Sequence, residues 1–249
     1  MAVREAQDST PGCDSEPHLL VHYTTRMDVL RRSIAGTRAF VILSFLAAVL
    51  SALPSCARTV EEQPVVNADA SERLETATFA GGCFWCMEPA FEALDGVKDV
   101  VVGYAGGEME NPTYEDVLFR ETGHYEAAQI AYDPDRISYA RLLETFWRQI
   151  DPTDAGGQFA DRGAQYQTAI FYHDLEQKAL AEKSMQELER SGKFDRPIVT
   201  QILPFKAFYP AEDYHQNYYK TCPVSYNSYK WGSGRGPFLE STWPEEDGT

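Results

Sequence analysis

Two cysteines stand three positions apart in the segment at residues 81–92, which reads Gly-Gly-Cys-Phe-Trp-Cys-Met-Glu-Pro-Ala-Phe-Glu. An apolar stretch precedes the two glycines, and apolar residues follow at helical spacing. This pattern is typical of a strand, a tight turn and an amphipathic helix. Cys83 then falls at the helix N-terminus, where unpaired backbone N–H groups and the helix dipole favour an anion. We therefore expect its thiol to ionise readily to the reactive thiolate.

The odd number of cysteines after residue 56 argues against a structural disulfide framework. Cys83, Cys86 and Cys222 remain in this part of the chain, which suggests a working pair and one more thiol. The pair could belong to a thioredoxin-like thiol–disulfide oxidoreductase, although the two bulky aromatic residues between its cysteines would crowd a partner disulfide. It could also be an inert part of the core. A zinc site would need two more ligands, which could come from His124, His215 or Cys222.

Residues 1–55 have the features of an export signal rather than of a fold. Fifteen uncharged, mostly apolar residues at 39–53 follow three arginines and end shortly before Cys56. Fifteen residues fall short of the roughly 20 that a membrane-spanning helix needs. The cysteine after the expected cleavage point resembles a bacterial lipoprotein signal, which predicts a lipid on Cys56. The alternative is an uncleaved anchor in which Cys56 has no role.

The chain thus divides into three predicted parts. Residues 1–55 are an N-terminal extension and signal peptide whose true start could be Met27, residues 56–71 are a polar tether, and residues 72–249 are the folded domain. This organisation predicts a protein of the bacterial cell envelope, on the periplasmic side and held to a membrane by its lipid.

The charge of the chain excludes one class of partner. Of 249 residues 43% are hydrophobic, an ordinary share for a folded soluble protein, and the formal net charge is −16. Residues 1–55 carry five basic and five acidic side chains, so the whole excess lies in the tether and the domain. Such a surface repels phosphate backbones, and we expect no nucleic-acid partner.

Strands and helices alternate along the domain, which predicts a mixed α/β sandwich. Period-two and period-3.6 patterns predict strands at 100–104, 126–132, 166–172 and 198–203, and helices at 139–150 and 174–191. From residue 209 onward the chain is rich in Tyr, Pro and Gly and shows little periodicity. We expect a long coil there, held on the core by its aromatic side chains.

Gly-Cys-Phe-Trp at residues 82–85 resembles the active-site signature of the A-type methionine sulfoxide reductases, in the subtype that reads Gly-Cys-Phe-Trp-Cys. Further blocks similar to those of the family follow in the family order, at residues 103–107, 111–114, 122–126, 132–134, 151–154, 161–166 and 214–216. The resemblance implies an α+β two-layer sandwich, with a mixed sheet, a ferredoxin-like core and a long C-terminal coil. It also implies a monomer that needs neither a cofactor nor a metal.

The resemblance implies that Cys83 is the nucleophile and that Glu126 is the acid that protonates the sulfoxide oxygen. A sulfoxide is electrophilic at sulfur, and a carboxyl group kept neutral by burial can meet the proton demand of its oxygen. The remaining positions that match the family are Phe84 and Trp85 as walls of the methyl pocket, Tyr114 and Tyr166 as hydrogen-bond donors to the oxygen, and Asp161 as the residue that orients the substrate backbone.

The resemblance also implies a second thiol that resolves the sulfenic acid left on Cys83. Cys86 is favoured because it lies one helical turn away and closes a short loop, and Cys222 is the alternative. The expected function is reduction of methionine (S)-sulfoxide, free or in oxidised proteins, with recycling by a thioredoxin-like reductant. A general thiol–disulfide oxidoreductase and a zinc-stabilised binding module are the competing hypotheses.

Overall fold

The computed structural model describes residues 73–244, and a six-stranded mixed sheet lies at its centre. The strands are β1 (Glu75–Gly81), β2 (Val97–Ala105), β3 (Tyr125–Tyr132), β6 (Thr168–Tyr172), β7 (Gln201–Pro204) and β8 (Phe208–Pro210), with a separate two-residue pair β4 (Gly157–Gln158) and β5 (Asp161–Arg162). The helices are α1 (Phe84–Glu92), α2 (Tyr114–Phe119), α3 (Tyr139–Trp147), α4 (Leu175–Arg190), α5 (Tyr218–Thr221), α6 (Pro223–Gly232) and α7 (Arg235–Thr242).

The strand order β7-β6-β1-β3-β2-β8 contains a ferredoxin-like core. Strand β3 runs antiparallel between β1 and β2, and β6 runs antiparallel to β1 on the other side. The units β1-α1-β2 and β3-α3-β6 are therefore the two interlocked halves of this arrangement. Strand β7 adds to β6 in parallel and β8 adds to β2 antiparallel. The predicted α+β class, the mixed sheet and the ferredoxin-like core are confirmed.

The helices cover one face of the sheet and bury the larger core. Phe79 of β1 stacks between Phe91 of α1 and Phe146 of α3, at ring distances of 5.4 Å and 5.1 Å. On β3, alternation places Glu126 on the same face as Ala128 and Ile130, which belong to this core. A carboxylate thus lies on a core-facing row of a central strand, at the end where β1 leads into α1.

The predicted helix at 174–191 is confirmed as α4, with the Asp174 side chain accepting the backbone N–H of Gln177 at 2.8 Å. Two strands are shorter than the sequence pattern predicts. Strand β6 begins at Thr168 because residues 164–166 form a 3-10 turn, and β7 begins only at Gln201.

The prediction of a C-terminal coil is wrong, because residues 218–242 form the three short helices α5, α6 and α7. Three residues spaced four apart, Tyr218, Cys222 and Tyr226, are buried in one cluster with Cys86. This spacing is a helical period that the high content of Tyr, Pro and Gly conceals. Pro223 occupies the first turn of α6, where its missing N–H costs nothing.

The signal peptide, the tether, the start at Met27 and the lipid site at Cys56 lie outside the described residues. Between residues 73 and 244 no helix is both long enough and apolar enough to cross a membrane.

Replacing Gly82 with alanine is expected to destabilise the domain more than the same change at Gly192. Both glycines have left-handed φ values, +78° and +66°, which cost a side-chain-bearing residue about 1–2 kcal/mol. A Cβ on Gly82 would also lie 2.6 Å from the Cβ of Gln158, whereas nothing lies within 4 Å of one on Gly192. Urea unfolding should show a loss of about 3 kcal/mol for Gly82→Ala and of about 1 kcal/mol for Gly192→Ala. Equal losses would contradict the contact.

Candidate active site

Cys83 lies at the turn that joins the central strand β1 to α1. Gly82 adopts the left-handed conformation needed for this turn, and Cys83 becomes the N-cap residue of the helix. Its side chain is almost fully buried, and its carbonyl accepts the backbone N–H of Cys86 at 3.1 Å. The predicted sequence of strand, glycine turn and helix is therefore correct, and it places the sulfur at a helix N-terminus.

Glu126 reaches the same helix terminus from β3. Its Oε2 accepts the backbone N–H of Phe84, the residue after Cys83, at 3.1 Å. The side chain is 1% exposed, and this burial raises the pKa of Glu126 to about 8 although the Phe84 hydrogen bond works in the opposite direction. Glu126 is therefore a protonated acid at neutral pH, beside Cys83.

Tyr166 belongs to the same group of side chains. Burial raises its pKa, and negative charge on Glu126, Tyr114, Cys83 and Asp161 raises it further. Its hydroxyl is therefore a neutral donor that lies close to all four groups. The structure brings together five of the residues to which the sequence analysis assigned roles, namely Cys83, Glu126, Tyr114, Tyr166 and Asp161.

Glu212 holds Tyr114 in place, a role that the sequence analysis did not assign. One carboxylate oxygen of Glu212 accepts the backbone N–H of Tyr114, and the other accepts the hydroxyl of Tyr104, both at 2.9 Å. These bonds keep the pKa of Glu212 below its usual value even though burial opposes them. Glu212 therefore anchors α2, which carries Tyr114, to the end of β2.

Aromatic rings form the wall beside the cysteines. Trp85 stacks on Tyr218 at 4.0 Å, and its indole N–H donates to Nδ1 of His215 at 3.2 Å. Phe84 is buried, with its ring 5.0 Å from that of His215. Burial lowers the pKa of His215 to about 4, so this ring is neutral and acts as a hydrogen-bond acceptor. His215 therefore serves as a structural hydrogen-bond acceptor for Trp85.

Asp161 accepts a hydrogen bond from Tyr229, a residue to which the sequence pattern assigned no role. The hydroxyl of Tyr229, on α6, donates to Oδ2 of Asp161. Burial raises the pKa of Asp161, while this hydrogen bond and the charge of Arg235 oppose that rise. The C-terminal helices therefore contribute directly to the site. The spacing of Tyr218, Tyr226 and Tyr229 is the sequence signal that could have revealed this.

The expectation that Cys83 ionises readily is wrong for the protein without substrate. Burial is the main reason that its pKa lies well above the usual value, and its hydrogen bond to Cys86 together with the nearby acids adds to this effect. The same hydrogen bond lowers the pKa of Cys86 to about 7 against the effect of burial. Desolvation thus outweighs the helix terminus at Cys83, and Cys86 is the more acidic thiol of the pair.

Cys222 shares a buried cluster with Cys86, Tyr218 and Tyr226. Cys83 and Cys86 are free thiols, whereas Cys222 is disulfide-bonded, so Cys86 is the predicted resolving cysteine whose thiol is present in the structure. With regard to the zinc hypothesis, residues 73–244 contain no group of three or more His, Cys, Asp or Glu side chains arranged to hold a metal ion.

Residues 75–247 match the peptide methionine sulfoxide reductase family. The chain belongs to this family. It is similar to the peptide methionine sulfoxide reductase MsrA of Bacillus subtilis strain 168, with 58% identity over 70% of this chain and 98% of that protein. A second similar protein is MsrA 2 of Staphylococcus aureus strain MW2, with 53% identity over the same shares.

Solved structures agree with the sequence relatives. Mxr1 of Saccharomyces cerevisiae in its reduced form is 33% identical, with a TM-score of 0.56 over 65% of this chain and 92% of that one. Methionine sulfoxide reductase A of Corynebacterium diphtheriae is 31% identical, with a TM-score of 0.55 over 61% and 76%. The prediction of an A-type enzyme that reduces methionine sulfoxide by thiol chemistry is confirmed.

Glu126→Gln is expected to slow release of methionine in a single turnover by about 10²–10⁴-fold, because the amide cannot give up a proton. The wild-type rate should fall as the pH rises past about 8, where Glu126 loses its proton, and the variant should lack this fall. Rapid quenching and quantification of methionine between pH 6 and pH 10 measures both effects.

Glu88→Gln is the matched control for this measurement. Glu88 is a second buried carboxyl, located on α1, and its pKa is raised to about 7 by burial, but it accepts the backbone N–H of Asn217 instead. This variant should release methionine at close to the wild-type rate. A Glu126→Gln enzyme as fast as Glu88→Gln would rule out Glu126 as the acid.

Proposed function

We propose that this chain reduces methionine (S)-sulfoxide, free or in oxidised proteins, with Cys83 as the nucleophile and Glu126 as the acid. The observation that carries the proposal is the hydrogen bond from the Phe84 N–H to Glu126, because it fixes a protonated carboxyl next to the sulfur. Tyr114 and Tyr166 assist at the oxygen, Phe84 and Trp85 bound the methyl pocket, and Asp161 orients the substrate backbone.

In the first step the sulfur of Cys83 attacks the sulfoxide sulfur while Glu126 protonates the departing oxygen. The S–O bond of the substrate breaks, the oxygen bonds to the Cys83 sulfur as the transient bond between the two sulfurs breaks, and methionine leaves while Cys83 becomes a sulfenic acid. The methionine sulfur is reduced by two electrons and the cysteine sulfur is oxidised by two. The proton of the Cys83 thiol replaces the one that Glu126 has given, so the carboxyl ends the step protonated.

In the second step Cys86 resolves the sulfenic acid. Three observations support this role: Cys86 lies one helical turn from Cys83, is hydrogen-bonded to it and is the more acidic of the two thiols. A disulfide forms and water leaves. A thioredoxin-like dithiol then restores both thiols by thiol–disulfide exchange, because the Cys83–Cys86 disulfide cannot reduce another sulfoxide. Cys222 is the alternative resolving residue, because it packs in the cluster that contains Cys86; since it is disulfide-bonded, it could take this role only after reduction of that bond.

The decisive experiment compares the two sulfoxide epimers in wild type, Cys83→Ser, Cys86→Ser and Cys222→Ser. Wild type should consume the S epimer alone, and Cys83→Ser should form no methionine. Cys86→Ser should release one methionine per enzyme, because the first step needs only Cys83, but should not turn over with thioredoxin. Cys222→Ser, the matched control, should turn over normally.

Each contrary result of this experiment has its own meaning. Reduction of insulin disulfides without sulfoxide turnover would favour the thiol–disulfide oxidoreductase. Equal use of both epimers would overturn the stereochemical proposal. Full thioredoxin-driven turnover in Cys86→Ser would transfer the resolving role to Cys222.

We also propose that the protein is exported and tethered to the bacterial cell envelope through a lipid on Cys56, where it acts as a monomer on oxidised envelope proteins. The support is the sequence alone, with its basic flank, short apolar run and cysteine at the expected cleavage point. Cells grown with labelled palmitate should label the wild-type chain, and Cys56→Ala should remove the label and release the protein from membranes. A labelled Cys56→Ala chain, or an unlabelled wild type, would contradict the tether.

A further inference from the structure

Arg235, the first residue of α7, is the largest side chain that is completely buried, with 0% exposure. Its Nη2 donates to the carbonyl oxygen of Gly81 at 2.9 Å, and its Nη1 donates to that of Gln149 at 2.6 Å. The guanidinium also lies 4.8 Å from the centre of the Phe159 ring. The last helix of the described chain thus reaches back to the end of β1.

The charge of Arg235 is not neutralised by an ion pair with any residue between 73 and 244. Its direct partners there are two backbone carbonyls and one aromatic ring, and its Nε is buried without a hydrogen bond in that range. Asp161 and Glu126 interact with its charge only over a longer distance than an ion pair. Burial of an unpaired cation costs stability. A fully buried guanidinium next to the turn before Cys83 is therefore expected to have a function that offsets this cost in stability.

The geometry of the turn shows what the guanidinium contacts. A Cβ on Gly82 would lie 2.8 Å from Nη2 of Arg235, so the guanidinium fills the space directly behind the residue before Cys83. Arg235 therefore braces the turn that sets the direction of Cys83 and, through α1, of Cys86.

Several charged or titratable groups surround the cysteine pair. Acidic groups face it from β3 and β5, namely Glu126 and Asp161, and positive charge reaches it from Arg235 on α7 and Lys230 on α6. The hydrogen bond from Cys83 lowers the pKa of Cys86 most, and burial opposes it. The positive charges of Arg235 and Lys230 lower this pKa further. Tyr226 and Tyr229 on α6 also lie close to both thiols, and their own pKa values are raised, first by burial.

We propose that Arg235 is a positioning residue for the second half of the reaction, where its buried guanidinium braces the glycine turn and favours Cys86 as the thiolate that attacks the sulfenic acid of Cys83. This inference rests on the proposed function, with Cys86 as the resolving thiol. In this step the Cys86 sulfur bonds to the Cys83 sulfur, the S–O bond of Cys83 breaks, and the leaving hydroxide takes a proton from solvent to become water. Cys86 is oxidised and Cys83 is reduced.

The test measures the two steps separately in one turnover without external reductant, by methionine formed and by thiols lost, between pH 5.5 and pH 9. Arg235→Gln should still form one methionine per enzyme. Its thiol loss should slow about tenfold at pH 7 and recover at high pH. The reason is that loss of the cation raises the midpoint of the pH dependence of thiol loss, called the midpoint below, by about one pH unit. Arg235→Lys keeps the charge and should keep the midpoint even if altered bracing lowers the maximal rate.

Two further variants keep the outcome interpretable. Lys230→Gln removes the other cation from a partly exposed position, so it should fold and shift the midpoint in the same direction by a smaller amount. Arg196→Gln removes an exposed arginine that pairs with Asp151, and it should shift nothing. If Arg235→Gln does not fold, Lys230→Gln and Arg235→Lys together decide the matter.

An unchanged midpoint in a folded Arg235→Gln would overturn the inference whatever Lys230→Gln does, since a purely structural residue alters rates without moving a titration. An unchanged midpoint in Lys230→Gln alone would do so if Arg235→Gln does not fold and Arg235→Lys behaves as wild type. Failure of wild type to form methionine would instead reject the proposed function itself.

Discussion

The site depends on one buried carboxyl bonded to the start of one helix. Glu126 accepts the N–H of Phe84, so a strand in the middle of the sheet and the helix that begins beside Cys83 are tied at the point where the proposed reaction releases the substrate oxygen. Water is excluded there, and the carboxyl stays protonated for that reason. The acid and the nucleophile are therefore positioned by the same contact.

Burial has opposite consequences for the two partners of that contact. It keeps Glu126 protonated at neutral pH, as its proposed role as the acid requires. It also holds Cys83 as a thiol in the empty site, against the pull of the helix terminus. Cys83 is thus the less acidic thiol in the site without substrate, while Cys86 carries the lower pKa. In the proposed reaction Cys83 acts first and Cys86 second. The raised pKa of Cys83 and the lowered pKa of Cys86 are compatible with that order.

The C-terminal helices complete the site rather than merely covering it. Tyr218 stacks on Trp85, Tyr229 binds Asp161, and Arg235 holds the carbonyl of Gly81, 154 residues away in sequence. Glu212 and His215, just before these helices, secure Tyr114 and Trp85. The aromatic wall and the reactive turn are consequently formed by segments from both ends of the domain.

The sequence by itself determined the parts of this protein that depend on local pattern. Alternation along β2 and β3, the cap at Asp174 and the glycine turn before Cys83 all follow from rules that act over a few residues, and the ordered motifs identified the family and predicted the nucleophile. Tertiary structure alone decided the rest. The pKa order of Cys83 and Cys86, the role of Glu212 and the buried position of Arg235 arise from desolvation and from contacts between distant segments, which residue spacing does not encode. The coil predicted after residue 209 was wrong for the same reason, since the Tyr218, Cys222 and Tyr226 repeat gains its meaning only when packed against α1.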